Sequence, residues 1–107
     1  MILDIAGEML SYLGHKPFLA SSAQEGLKIF LEKKDEIDLV IVDLLMPDMN
    51  GKECYQELRK IDPTIPIILS TGISDVAHKD GLKNLQVVGF LEKPYDMEKL
   101  QGMINKL

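Results

Sequence analysis

Ile2, Ile5, Ala6, Met9, Leu10 and Leu13 recur at helical spacing, and Gly14 follows as a natural stop. The periodicity therefore predicts an amphipathic helix over residues 1–13. Lys16–Ala20 reads as a short strand. Ser21 or Ser22 then caps a helix, with Glu25 three positions after Ser22 and an apolar face of Ala23, Leu27, Phe30 and Leu31. Lys33, Lys34 and Asp35 close that helix in a charged loop. Ile37–Val42 follows as a strand, and its unbroken apolar stretch Leu39–Val42 is the pattern of burial on both faces.

Asn50 and Gly51 lead into a third helix, about Lys52–Ile61, which Asp62-Pro63 terminates. Pro66–Ser70 is another short apolar strand. A polar helix is expected from Ser74 or Asp75 to about Leu82. Gln86–Leu91 reads as a strand broken by Glu92-Lys93-Pro94, and Asp96–Leu107 as the closing helix. Strands alternating with helices imply an α/β domain, a parallel sheet covered on both faces. In such sheets ligands bind beyond the carboxyl ends of the strands.

A length of 107 residues sets one domain, and 46% hydrophobic residues supply a core at that size. The formal net charge of −5 argues against a nucleic-acid partner, because phosphate backbones need a basic face. No apolar run approaches the roughly 20 residues of a membrane helix. No signal peptide is visible, and a single cysteine, Cys54, forms no internal disulfide. These features fit a cytoplasmic protein without direct membrane contact.

Three strand ends carry polar residues: Asp43, Ser70-Thr71 and Glu92-Lys93. Asp43 is either a turn residue or the working group of a site. A carboxylate can attack phosphorus to give an acyl phosphate. The transferred group then needs a cation and hydrogen-bond donors held in place beforehand, and Lys93 and Thr71 are of the right types. Taken singly, Thr71 is a turn hydroxyl, Lys93 a surface charge and Phe90 a core residue. Asp48 reads as a loop residue and Cys54 as a small side chain on a helix. Neither His15 nor His78 is assigned a role.

The segments "VDLLMPDMNG", "LSTG" and "GFLEKPY" resemble the receiver domain of two-component response regulators and hybrid histidine kinases. The resemblance implies a flavodoxin-like, CheY-like sheet of order 2-1-3-4-5, an order that the general rule for such folds itself illustrates with a receiver. It implies that Asp43 is the phosphoacceptor, Thr71 the switch hydroxyl, Lys93 the phosphate-pairing lysine and Phe90 the aromatic switch position. Lys93-Pro94 matches a Lys-Pro pair that is often cis. Mg²⁺ would be held by Asp43 and the backbone carbonyl of Leu45. The implied partners are a histidine kinase or histidine phosphotransfer protein and a downstream protein. The implied role is a signalling switch rather than a turnover enzyme.

One departure accompanies the match. Receivers begin with a strand ending in an acidic pair, and the helix expected over 1–13 leaves no room for either. Asp4 lies only ten positions before Gly14 and on the polar side of the helical pattern. The expectation is therefore one N-terminally truncated receiver over 1–107, with its first strand absent and the remaining metal ligands missing. Mg²⁺ would then bind weakly or not at all. The vacant slot would be closed by the flanking strands or by a borrowed strand, as in a swapped homodimer. A phosphorylation-independent interaction module is the alternative. An aspartate-nucleophile phosphohydrolase is disfavoured, since its Asp-x-Asp pattern would need a carboxylate at Leu45.

Overall fold

The computed structural model describes residues 2–5, 9–44, 48–71 and 85–107, apart from the side chains of Met9 and Tyr12. Five parallel strands form one sheet: β1 (Ile2–Asp4), β2 (Pro17–Leu19), β3 (Leu39–Asp43), β4 (Ile67–Thr71) and β5 (Gly89–Glu92). Their spatial order is β2-β1-β3-β4-β5. The described α-helices are α1 (Ala23–Lys33), α2 (Gly51–Ile61) and α3 (Met97–Ile104). Short 3-10 turns occupy Met9–Leu13 and Lys34–Glu36. The helix expected from Ser74 or Asp75 to Leu82 lies outside the described residues.

Consecutive residues of the central strands serve two different cores, as the period of two demands. Leu3, Val40, Val42, Ile67 and Leu69 face α1 and α2, where they meet Phe30, Cys54 and Leu58. Ile2, Leu39, Ile41 and Ile68 face the other way, onto Leu10, Leu100 and Ile104. Both sheet faces are thus covered, which explains why β3 reads as an unbroken apolar run. All three α-helices begin at side-chain caps. Ser22, Asn50 and Asp96 accept from the backbone N–H three residues on, at Glu25, Glu53 and Lys99.

The N-terminus corrects the expected helix and the expected gap. Ile2–Asp4 is the first strand, paired with β2 on one side and β3 on the other. Ile5 N–H extends the ladder to the Ile41 carbonyl at 3.1 Å, and Ala20 N–H reaches the Asp4 carbonyl at 3.2 Å. The flanking strands have no vacancy to close, and no borrowed strand is needed to fill one. The nine residues between Asp4 and Gly14 suffice because the described part of this crossover holds a five-residue 3-10 turn, Met9–Leu13. Gly14 ends that turn with φ of 86°, a conformation glycine adopts without strain. Helical periodicity lost to tertiary pairing: Ile2 and Leu3 are both buried, on opposite faces, which one helical stripe could not achieve.

Candidate functional site

Asp43 is the last residue of β3, two steps beyond Ile41 on the same strand face. Its partner in register is Ser70 of β4, and Leu44 N–H donates to the Ser70 carbonyl at 3.0 Å. β4 is buried throughout and ends at Thr71. Thr71 pairs with Glu92 of β5, and Lys93 N–H donates to the Thr71 carbonyl at 2.6 Å. The Lys93-Pro94 peptide bond is cis. Lys93 Nζ then lies 2.5 Å from Asp43 Oδ2, with the Asp43 side chain 16% exposed. Three separate strand ends thus bring a carboxylate, an ammonium and a buried threonine to one edge of the sheet.

Ser70 and Thr71 are both fully buried. Among the described residues, neither hydroxyl oxygen has a hydrogen-bond partner. The Tyr95 pKa is raised, first by burial and then by the Asp4 carboxylate. Nothing in the sequence points to Tyr95 at this site; Ser70 is expected only as a polar strand-end residue, and Asp4 on the polar side of a helix. Asp4 is 2% exposed at the end of β1, and Ile5 follows it, so β1 ends on a single acidic residue. Phe90 is half-buried in β5 and packs against the core on the α1–α2 face. It also lines a groove of about 390 Å³ between β5 and α3, with Glu92, Lys99, Gly102, Met103 and Lys106.

Leu45, the expected source of a metal-binding carbonyl, lies outside the described residues, as does His78. Magnesium takes a near-octahedral shell of hard oxygens. Among the described residues, no three His, Cys, Asp or Glu side chains gather as a metal-ligand set. The described residues do not by themselves make a Mg²⁺ cage.

Asp48 does more than the loop residue expected. Its carboxylate accepts from Ala23 N–H at 3.0 Å and from Gln24 N–H at 2.8 Å. These bonds, the one from Gln24 first, hold its pKa below the usual aspartate value. Nothing local in the sequence announces a contact across 25 residues. Arg59 is similar. It donates to the carbonyls of Ile65 at 2.6 Å and Gln86 at 2.7 Å, and Tyr55 Oη accepts from Gln86 N–H at 2.8 Å. That network ties the end of α2 to the segment entering β5. His15 only approaches Gln101, at 3.4 Å, and Cys54 is a buried free thiol. Among the described residues, no helix is long and apolar enough to cross a membrane.

The profile of the response regulator receiver domain family matches residues 1–105. The transcriptional regulatory protein GlrR of Escherichia coli K12 is 31% identical over 104 residues, covering 97% of this chain and 23% of its own. The sensor kinase CckA of Brucella abortus is 33% identical over 94 residues, covering 88% of this chain and 10% of its own. The chain thus spans a quarter or less of these two relatives. A crystal structure of a response regulator receiver domain protein from Clostridium thermocellum superposes with a TM-score of 0.88 at 33% identity, covering 97% of this chain and 90% of that one. Sequence profile, relatives and superposition agree with the strand order: the chain belongs to the response regulator receiver domain family.

Proposed function

We propose that this domain accepts a phosphoryl group on Asp43 from the phosphohistidine of a histidine kinase or histidine phosphotransfer protein. A carboxylate oxygen of Asp43 forms a P–O bond as the P–N bond breaks, and the electron pair leaves with the imidazole nitrogen. Lys93 balances the charge on the phosphoryl oxygens, and Thr71 donates its hydroxyl to one of them. The observation that carries this reading is the 2.5 Å contact of Lys93 with Asp43, at the sheet edge where β4 ends on Thr71, whose hydroxyl is buried and has no partner among the described residues. A buried hydroxyl without a partner costs about 1–3 kcal/mol, a cost that a phosphoryl oxygen would remove.

In this reading the domain is a cytoplasmic switch rather than a turnover enzyme. Movement of Thr71 and Phe90 alters the β5–α3 face that a downstream protein contacts. Mg²⁺ binds weakly, with Asp43 and the Leu45 carbonyl as contributors. A second reading is a docking module that works without phosphorylation, and the lack of a metal-ligand set among the described residues favours it. Incubation with acetyl phosphate across a Mg²⁺ titration, followed by intact mass, separates the two. An adduct of one phosphoryl group that Asp43→Asn abolishes supports the phosphoacceptor. No adduct at any Mg²⁺ concentration leaves the docking module.

A further inference from the structure

Past Asp43, the described residues leading into α2 are fastened at three places. Leu44 N–H is bonded to β4 through the Ser70 carbonyl at 3.0 Å. Gly51 N–H closes back on the Leu44 carbonyl at 2.9 Å. Gly51 sits so tightly there that an added Cβ would lie 2.7 Å from Leu44 Cα and 2.9 Å from the Asp43 carbonyl oxygen. The third fastening is Asp48, whose two carboxylate oxygens take the N–H groups of Ala23 and Gln24, the first two residues of α1.

That third fastening comes from outside α1. The helix's own cap, Ser22, accepts only from Glu25 N–H at 3.2 Å, and Asp48 takes the two first-turn N–H groups that this cap leaves over. Glu25 in turn accepts from the Ser21 hydroxyl at 2.7 Å. Asp48 comes from a different loop, and its exposed side chain gives up bulk water for two aligned backbone donors. The contact therefore couples two elements as well as ending a helix. It joins the amino end of α1 to the loop that leaves the Asp43 strand end.

We propose that Asp48 is a positioning residue for the Asp43 site, clasping the β3–α2 loop to α1 so that the Asp43 strand end keeps a fixed approach for an incoming phosphoryl donor. This rests on the phosphoacceptor reading of Asp43. Small losses of alignment are costly in group transfer, so an unclasped loop slows acceptance without touching the nucleophile.

The test compares Asp48→Ala with Ser22→Ala, which removes a cap from the same helix end but leaves the loop alone. Asp48→Asn keeps the shape and one acceptor oxygen, and it stands in if the alanine variant does not fold. Two readouts are taken at a temperature where each protein is folded: amide exchange at Gly51, and the rate of phosphorylation by acetyl phosphate. Asp48→Ala is expected to speed Gly51 exchange about tenfold and to slow phosphorylation about 10- to 100-fold. Ser22→Ala is expected to change neither, and Asp48→Asn to fall between. Equal behaviour of the Asp48 and Ser22 variants in both readouts overturns the proposal, leaving Asp48 as a helix cap only. If the unmodified protein takes no phosphoryl group, the phosphoacceptor reading fails by itself, and Gly51 exchange alone decides whether Asp48 holds the loop.

Discussion

Lys93 Nζ and Asp43 Oδ2 meet at 2.5 Å, although fifty residues separate them and they leave the sheet from strands that are not neighbours. β4 lies between them, and its end supplies the bridge. Asp43 is in register with Ser70, and Lys93 N–H is held by the Thr71 carbonyl. The position of the ammonium is thus set by the backbone and not by the ion pair alone. Lys93→Met, which keeps the stem and removes the charge, is expected to cut phosphoryl acceptance by about 100-fold, the scale for losing one preorganised charge-stabilising group. Stability should change by only about 1 kcal/mol or less, because the Lys93 side chain is 39% exposed. Acetyl phosphate kinetics alongside urea unfolding separates the effects. A large stability loss with unchanged kinetics would make the lysine structural.

Gly51 tests how closely the loop after Asp43 must pack. Its missing Cβ leaves room for Leu44 Cα and the Asp43 carbonyl, both backbone atoms that cannot rotate away. Gly51→Ala forces a backbone shift, so a loss of about 1–3 kcal/mol is expected from urea unfolding. Gly102 is the control, since nothing lies within 4 Å of an added Cβ there. Gly102→Ala sits inside α3 and should stabilise by about 0.5–1 kcal/mol through helix propensity.

Much of this architecture was legible in the residues because one-dimensional signals matched local physics. The apolar run Leu39–Val42 could be read as a strand buried on two faces, and the capping residues Ser22, Asn50 and Asp96 marked helix starts. The convergence of the Asp43, Thr71 and Lys93 strand ends at one edge followed from the parallel arrangement of the strands. The first thirteen residues misled because Ile5, Leu10 and Leu13 carry helical spacing by coincidence of two short elements. A three-residue strand is too brief to show its own period. Asp48 and Arg59 were opaque for another reason: their partners are backbone groups of distant segments, which leave no mark in sequence.

Asp4 distinguishes the strand from the helix at the N-terminus. On the helical pattern it faces solvent, where Asp4→Lys would change stability by no more than about 0.5 kcal/mol. In β1 it is 2% exposed, and the substitution brings an ammonium into an enclosed position. A loss above about 2 kcal/mol is expected. Leu3→Ala supplies the companion measurement, since Leu3 is fully buried between the sheet and α1. Truncating it should cost about 2–5 kcal/mol. Tolerance of both substitutions would restore the helical reading.

Cys54 gives the domain an alkaline liability. The thiol is fully buried, and burial, reinforced by the charges of Asp48 and Glu57, pushes its pKa up to about 12. In the unfolded chain a thiol ionises near about 8.5. The folded pKa is the higher one, so the protonated thiol's contribution is complete below about 8.5 and is lost as pH rises towards 12. Over that window the unfolded state holds fewer protons at this position, and stability falls by up to about 1.4 kcal/mol per pH unit from this group. Cys54→Ala removes the titration at the cost of a small cavity. Urea unfolding of both proteins from pH 7.5 to pH 10 should show the parent losing stability faster above about 8.5, with parallel curves below it. Iodoacetamide should modify Cys54 only as fast as the fold opens, because alkylation needs a thiolate that the folded domain suppresses. Rapid labelling of the native protein at neutral pH would contradict the burial that the whole α2 face depends on.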